Sequence, residues 1–201
     1  MLVAGIKSRP LYPGFAPDRH CREHVFAIDG EGAQAVLDLF AAHGAQLSGR
    51  MTIVFADAAA GKSEYAARLD QLPVDVVHRM PTLGTAMQRL RAVLKASRMG
   101  TRIYAAGSET LIGLTVQIAQ ELGMDPQSVM TEHRGTLARR VQCVHCKGFT
   151  DNARTNIIQC AHCHANLLVR DHYSRRLAAF QGVCVDAEAP GELPEIVEIF
   201  K

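Results

Sequence analysis

The chain has 201 residues, 48% of them hydrophobic and 21% charged, with a net charge of +2. That is the profile of a soluble globular protein able to bury about 70% of its unfolded surface, and it excludes disorder, a collagen-like chain and a disulfide-dependent miniprotein. No apolar run approaches the ~20 residues of a membrane-spanning helix. The start, MLVAGIKSRPLYPGF, lacks a basic segment ahead of a long apolar core, so no secretory leader and a cytoplasmic location are expected. Tryptophan is absent and aromatics are 5%, which argues against a sugar-binding or base-stacking surface.

In chain order, residues 24–29 (HVFAID) form a short apolar run that meets Gly30 and Gly32. Ala33, Val36, Leu37 and Phe40 then recur at helical spacing up to Gly44. Residues 51–56 and 74–78 are the second and third strand candidates. Pro81 and Thr82 open a helix with Leu83, Met87, Leu90 and Leu94 on its core face. Residues 102–106 are a fourth strand. Ser108 is placed to cap a helix whose face is Leu111, Thr115, Ile118 and Leu122 and which Gly123 ends, before a fifth strand at 128–132. Strands separated by helices specify an α/β fold, a Rossmann-like parallel sheet with flanking helices.

Composition changes near residue 133. Between Arg134 and Arg176 eight basic residues face two acids, and this region holds four of the six cysteines. Beyond it, Asp186, Glu188, Glu192, Glu195 and Glu198 oppose only Lys201. The expected organisation is an extended arm over 1–23, the α/β domain over 24–133, a small zinc ribbon plus helix over 134–184 and an acidic tail over 185–201.

The strongest chemical signal is Cys143-Val-His-Cys146 and Cys160-Ala-His-Cys163, two CxxC pairs with 13 residues between them. Each CxxC turn aims two thiolates at one point while its N–H groups donate to the sulfurs, and two such turns complete a tetrahedral four-sulfur site. One structural Zn²⁺ is expected there. Iron in a rubredoxin-like site is the alternative, because sequence does not choose the metal. His145, His162 and His164 are candidate substitutes for a ligand, otherwise neighbours of the site. Polar residues from Thr150 to Asn156 suggest a hairpin between the two knuckles, and Cys21 and Cys184 read as free structural thiols. A closed four-cysteine site leaves no open coordination position, so its expected role is structural and not hydrolytic.

Two nucleotide motifs are flawed. Gly30-Glu-Gly32-Ala-Gln-Ala35 fits a GxGxx(G/A) turn between strand and helix, but Asp29 and Glu31 bring carboxylates where a pyrophosphate would approach. Residues 56–63, ending Gly61-Lys62-Ser63, resemble a Walker A loop whose first glycine is Ala56 and which carries Asp57 inside the cradle. No later strand ends in an aspartate suited to magnesium. Neither a catalytic nor a nucleotide-binding residue is assigned. After the ribbon, Leu167–Val169 reads as a strand and Asp171 as the cap of a basic helix through Phe180, with Arg175 and Arg176 exposed for a protein partner or, less favourably, nucleic acid.

Val141-Gln-Cys-Val-His-Cys-Lys-Gly-Phe-Thr-Asp, Gln159-Cys-Ala-His-Cys and Leu167-Leu-Val-Arg-Asp-His-Tyr-Ser-Arg-Arg-Leu-Ala-Ala-Phe-Gln-Gly182 together resemble the small, zinc-ribbon-bearing subunit of bacterial dimethylamine monooxygenase, as does Ser8-Arg-Pro-Leu-Tyr-Pro-Gly14. Arg102-Ile-Tyr-Ala-Ala-Gly107 and the stretch to Glu132 resemble the closing strand–helix–strand of the ferredoxin-reductase NAD(P) module, with Ala106-Gly107-Ser108 in place of its Cys-Gly-Pro. The resemblance implies a multi-subunit enzyme, dependent on NAD(P)H and O2, that oxidatively N-demethylates dimethylamine to methylamine and formaldehyde. Haem, flavin and iron–sulfur cofactors would then sit on partner subunits, a haem-containing monooxygenase subunit and a flavin/iron–sulfur reductase subunit. This chain would be an assembly or docking subunit that exposes Arg170, Arg175 and Arg176. The alternatives are an NAD(P)-binding or rubredoxin-like electron-transfer component and a nucleic-acid-binding zinc ribbon.

Overall fold

A computed structural model describes residues 8–18, 20–58 and 64–201. The chain forms two compact units, one over Tyr12–Gly135 and the other joining the described part of 1–11 to Thr136–Lys201. Among the described residues no helix is long and apolar enough to cross a membrane.

The first unit is built on five parallel strands, β1 (Glu23–Asp29), β2 (Arg50–Ala56), β3 (Val76–Met80), β4 (Thr101–Gly107) and β5 (Val129–His133), in the order β3-β2-β1-β4-β5. Four helices alternate with them, α1 (Gly32–His43), α2 (Glu64–Leu69), α3 (Leu83–Ala96) and α4 (Glu109–Glu121). The apolar runs bury both faces. Val25 and Ala27 of β1 join Leu90 and Leu94 of α3 and Leu111 and Ile118 of α4. Phe26 and Ile28 point the other way, into a cluster with Val36 and Leu39 of α1 and Leu69 of α2. The period-2 alternation of one continuously apolar strand therefore feeds two cores, the signature of a sheet covered on both sides. The strand order makes the unit doubly wound, with its topological switch between β1 and β4.

The helix starts read from sequence at Thr82 and Ser108 hold. Thr82 accepts from the Thr85 N–H in a capping box at α3, and Ser108 accepts from the Leu111 N–H at α4. The third strand begins two residues later than expected. Asp75 is occupied with a turn, its N–H bound to the Met51 carbonyl and its carboxylate accepting the Met51 N–H at 2.7 Å, so pairing starts at Val76.

The second unit is all β. Strands β6 (Arg139–Cys143), β7 (Phe149–Ala153), β8 (Ile157–Gln159), β9 (Asn166–Ser174) and β10 (Ala179–Cys184) lie in the order β7-β6-β10-β9-β8. The hairpin expected between the knuckles does not form. Each knuckle is instead the turn of its own hairpin, β6 with β7 and β8 with β9, which leaves β7 and β8 on opposite edges.

The helix expected from Asp171 to Phe180 is also absent. Residues 166–184 make an antiparallel hairpin, β9 with β10, turned by Ala178 at φ 49°. Tyr173 and Phe180 are cross-strand partners with ring centroids 5.0 Å apart, contacts that outweigh a weak helical pattern. Asp171 caps nothing, because its carboxylate accepts from Arg9 and Arg139. Arg175 and Arg176 are exposed in the hairpin turn. The acidic segment is part of this unit: Phe200 is buried with Val141, Ala153 and Phe180.

Candidate metal centre

The two knuckles repeat one backbone design. The Cys143 N–H donates to the Gly148 carbonyl and the Lys147 N–H to the Cys143 carbonyl. In the second knuckle the Cys160 N–H donates to the Ala165 carbonyl and the His164 N–H to the Cys160 carbonyl. The residue after each second cysteine, Lys147 at φ 65° and His164 at φ 59°, takes the left-handed conformation that turns the chain back. Local geometry of this kind follows from the CxxC spacing alone, which is why the site was legible.

The four sulfurs of Cys143, Cys146, Cys160 and Cys163 lie within 4.8 Å of one another. Cys143 and Cys163 are 3.8 Å apart and Cys146 and Cys160 are 3.7 Å apart, too long for a disulfide at about 2.05 Å. A tetrahedron with metal–sulfur bonds of about 2.3 Å has edges of about 3.8 Å, so the sulfur set fits a thiophilic ion such as zinc. Cys143 and Cys160 are fully buried, and the Gly148 N–H donates to the Cys146 sulfur at 3.4 Å.

Electrostatics favour a cation here. Burial opposes ionisation of Cys160, but the N–H groups of Cys163 and His162 and the adjoining thiols outweigh it and lower its pKa. The Ala165 N–H favours a Cys163 thiolate, yet burial and the neighbouring cysteines win and raise its pKa. Like charges packed this closely resist joint ionisation, and a bound divalent ion removes that conflict.

None of the candidate histidines joins the sulfur cluster. His162 instead reaches the Phe149 carbonyl through Nε2 at 3.0 Å, and its ring lies so close to Gly148 that a Cβ there would meet it at 2.4 Å. Lys147 donates to the Val144 carbonyl. Of the remaining cysteines, Cys184 is exposed and directed at Asp186. Cys21 is buried 3.2 Å from the His24 ring, where burial pushes the thiol pKa up and the His24 pKa down.

At the switch between β1 and β4 a carboxylate meets the start of α4. Asp29 at the end of β1 accepts the Ser108 N–H at 2.8 Å and the Ser108 hydroxyl at 2.6 Å, placing a carboxylate on the N-terminus of α4. Gly107, at φ 127°, leaves room for it, since a Cβ there would fall 1.8 Å from Asp29 Oδ1. Gly32 has a packing reason of its own: a Cβ would lie 2.1 Å from the Ala106 carbonyl oxygen. Gly32 and Gly107, at the turns into α1 and α4, thus serve close approach, whereas Gly30 at φ 44° faces open space. Gly61, Lys62 and Ser63 of the Walker-like stretch lie outside the described residues.

Burial raises the Asp29 pKa against the opposing Ser108 bonds and the charge of His133. A raised folded pKa means stability is complete below the unfolded value of about 3.9 and is lost as pH climbs through the folded value. Asp29→Asn keeps an acceptor for the Ser108 N–H and adds a donor for its hydroxyl. The variant is therefore expected to gain stability relative to wild type as pH rises from 4 to 8, by thermal denaturation at stepped pH. A constant difference across that range would refute the assignment.

Sequence comparison agrees with this anatomy. Residues 4–129 match the family model described as "Dimethylamine monooxygenase subunit DmmA-like, N-terminal domain", and residues 140–183 match the corresponding C-terminal domain. The chain is 30% identical over 136 residues to the "Heme-dependent oxidative N-demethylase delta subunit" of Ectopseudomonas mendocina (strain ymp), a stretch that covers 65% of this chain and 78% of the relative. The quartet falls in the second matched segment, and the doubly wound unit up to the start of β5 falls in the first. The chain belongs to the DmmA-like family of dimethylamine monooxygenase subunits.

Proposed function

We propose that this chain is a non-catalytic assembly subunit of a multi-subunit monooxygenase that N-demethylates dimethylamine to methylamine and formaldehyde at the expense of NAD(P)H and O2. The chemistry belongs to a haem-containing partner and a flavin/iron–sulfur reductase partner, in the cytoplasm. One Zn²⁺ held by Cys143, Cys146, Cys160 and Cys163 ties the two hairpins of the second unit together. Four thiolates saturate such an ion and leave no position for substrate or water.

The observation that carries the reading is the carboxylate of Asp29 at the N-terminus of α4, where a nucleotide phosphate would approach. The Asp29 carboxylate accepts the Ser108 N–H and hydroxyl there, so an approaching phosphate meets a carboxylate and competes for those two donors. The relative's printed name, a delta subunit of a haem-dependent enzyme, supports the division of labour.

The test is reconstitution of the demethylase with and without this chain, alongside metal analysis of the chain alone. Expected are about one zinc per chain, no visible absorption, no quenching of NAD(P)H fluorescence, and loss of assembly and turnover when the chain is omitted. Full turnover by the other subunits alone would defeat the assembly role. Stoichiometric iron with thiolate charge-transfer bands would make the chain a rubredoxin-like electron carrier instead.

A further inference from the structure

The acidic segment beyond β10 is held in place and yet presents apolar side chains to solvent. Its backbone is pinned antiparallel to residues 154–156: the Asn156 N–H donates to the Val197 carbonyl, and the Ile199 and Phe200 N–H groups donate to the Arg154 carbonyl. Asn156 also uses its side chain, donating to the Glu195 carbonyl and accepting the Val197 N–H at 2.7 Å. Phe200 is buried. Leu193, Ile196, Val197 and Ile199 nonetheless remain 40%, 56%, 41% and 50% exposed.

Solvation does not explain this arrangement. An extended segment with no contact to make would gain from polar side chains, whereas here a segment held by an isolated bridge and main-chain bonds displays four large aliphatic groups between Glu192, Glu195 and Glu198. The pairing also sets its polarity. Thr155 and Glu198 form the narrow, non-bonded pair of an antiparallel ladder, so the Val197 and Ile199 amides face Arg154 and Asn156 while the peptide groups of Ile196 and Glu198 face outward. That outward edge is a template for one more strand.

We infer that residues 192–199 form a strand-addition site for an extended, lysine- or arginine-bearing segment of a partner subunit. The partner's main chain pairs with Ile196 and Glu198, its apolar residues cover Ile196 and Ile199, and its basic residues meet the three glutamates. The charge pattern selects the occupant. A second copy of this chain would set its own glutamates against these and be repelled, while a basic segment is attracted. The inference rests on the assembly-subunit reading and supplies its surface.

The experiment compares wild type with Ile196→Asp and with the double variant Glu195→Lys/Glu198→Lys in binding to the remaining demethylase subunits, followed by sedimentation velocity. Metal content and thermal transitions are recorded for each variant, since neither change touches Phe200 or the sulfur cluster. Association at least tenfold weaker in both variants, with unchanged metal and folding, is the expected result. Wild-type assembly that both variants reproduce would overturn the strip while leaving the assembly role intact. No assembly by wild type would overturn both. Self-association of the chain alone that the same substitutions abolish would show a second copy to be the occupant, and would overturn the assigned partner.

Discussion

Replacing Cys160 with serine is expected to strip the metal from the second unit and unfold it, while the parallel-sheet unit keeps its own transition. The reason is the size of the two contributions. The second unit's cores are small: Val141, Ala153, Val169, Phe180 and Phe200 in one, and two of the cysteines with Leu167 in the other. Structural zinc supplies about 10–16 kcal/mol of apparent folding free energy in small domains, against a total stability of about 5–15 kcal/mol for a typical domain. Cys160 is fully buried, so its hydroxyl replacement also stands in an apolar cluster. Calorimetry should show two transitions in wild type and one in the variant, and metal analysis should fall from about one ion per chain towards none. Cys184→Ser is the control, because Cys184 is exposed and outside the cluster. A Cys160→Ser protein that retained both its metal and its second transition would remove the quartet from the fold's foundations.

The contrast between what was and was not legible follows from the range of the interactions. A CxxC turn is built within six residues, so spacing alone brought out the quartet. The α/β order was equally local, carried by apolar runs and by caps such as Thr82 and Ser108. Interactions that close over long stretches left no such mark. Asp29 meets Ser108 across 79 residues, and Arg139 meets Asp171 across 32. The helix expected at 171–180 failed for the same reason, since Tyr173 and Phe180 are matched across a hairpin and Asp171 is engaged by two arginines. One signal was present in the sequence: Arg139 shares its strand face with Val141 and Cys143, both buried, so period-2 alternation in β6 already places a guanidinium inside.

Asp29 and Ser8 show how one sequence motif can carry structure where function was sought. The glycine-rich turn after β1 has the form of a nucleotide loop, yet its geometry is spent on bringing α1 against the Ala106 carbonyl and on admitting a carboxylate beside Gly107. Ser8, in the short opening motif, donates its N–H to the Asp171 carbonyl and accepts the Tyr173 N–H at 2.9 Å, while Arg9 pairs with the Asp171 carboxylate. Ser8 and Arg9 therefore clasp β9 within the second unit.

The Arg139 guanidinium carries the second large effect. It lies 3.9 Å from the centroids of both Phe180 and Phe200, and its Nη2 donates to Asp171 at 2.6 Å, with the side chain only 4% exposed. It is thereby the joint between β6, β9, β10 and the acidic segment. Desolvated cation–π contacts contribute about 2 kcal/mol each at best, and the ion pair adds less than a fully buried one, because the Asp171 side chain is 28% exposed and also held by Arg9. Arg139→Ala is therefore expected to destabilise the second unit by about 3–5 kcal/mol and to free the Phe200 segment, seen as a lowered second transition and faster amide exchange at residues 197–200. Arg139→Lys should recover little, because an ammonium lacks the planar surface that two rings can stack upon. The pH dependence separates stacking from charge. Burial opposes ionisation of Asp171, but its bonds to Arg139 and Arg9 outweigh this and hold its pKa below the usual carboxylate range. Its contribution is present above the unfolded value of about 3.9 and is lost as pH falls through the lower folded value. Arg139→Ala should weaken that acid-side loss, with Arg9 retaining part of it, and Phe200→Ala should leave it intact while lowering stability. Equal acid sensitivity in wild type and Arg139→Ala would mean that Asp171 draws its stabilisation from Arg9, and that Arg139 acts through its stacking alone.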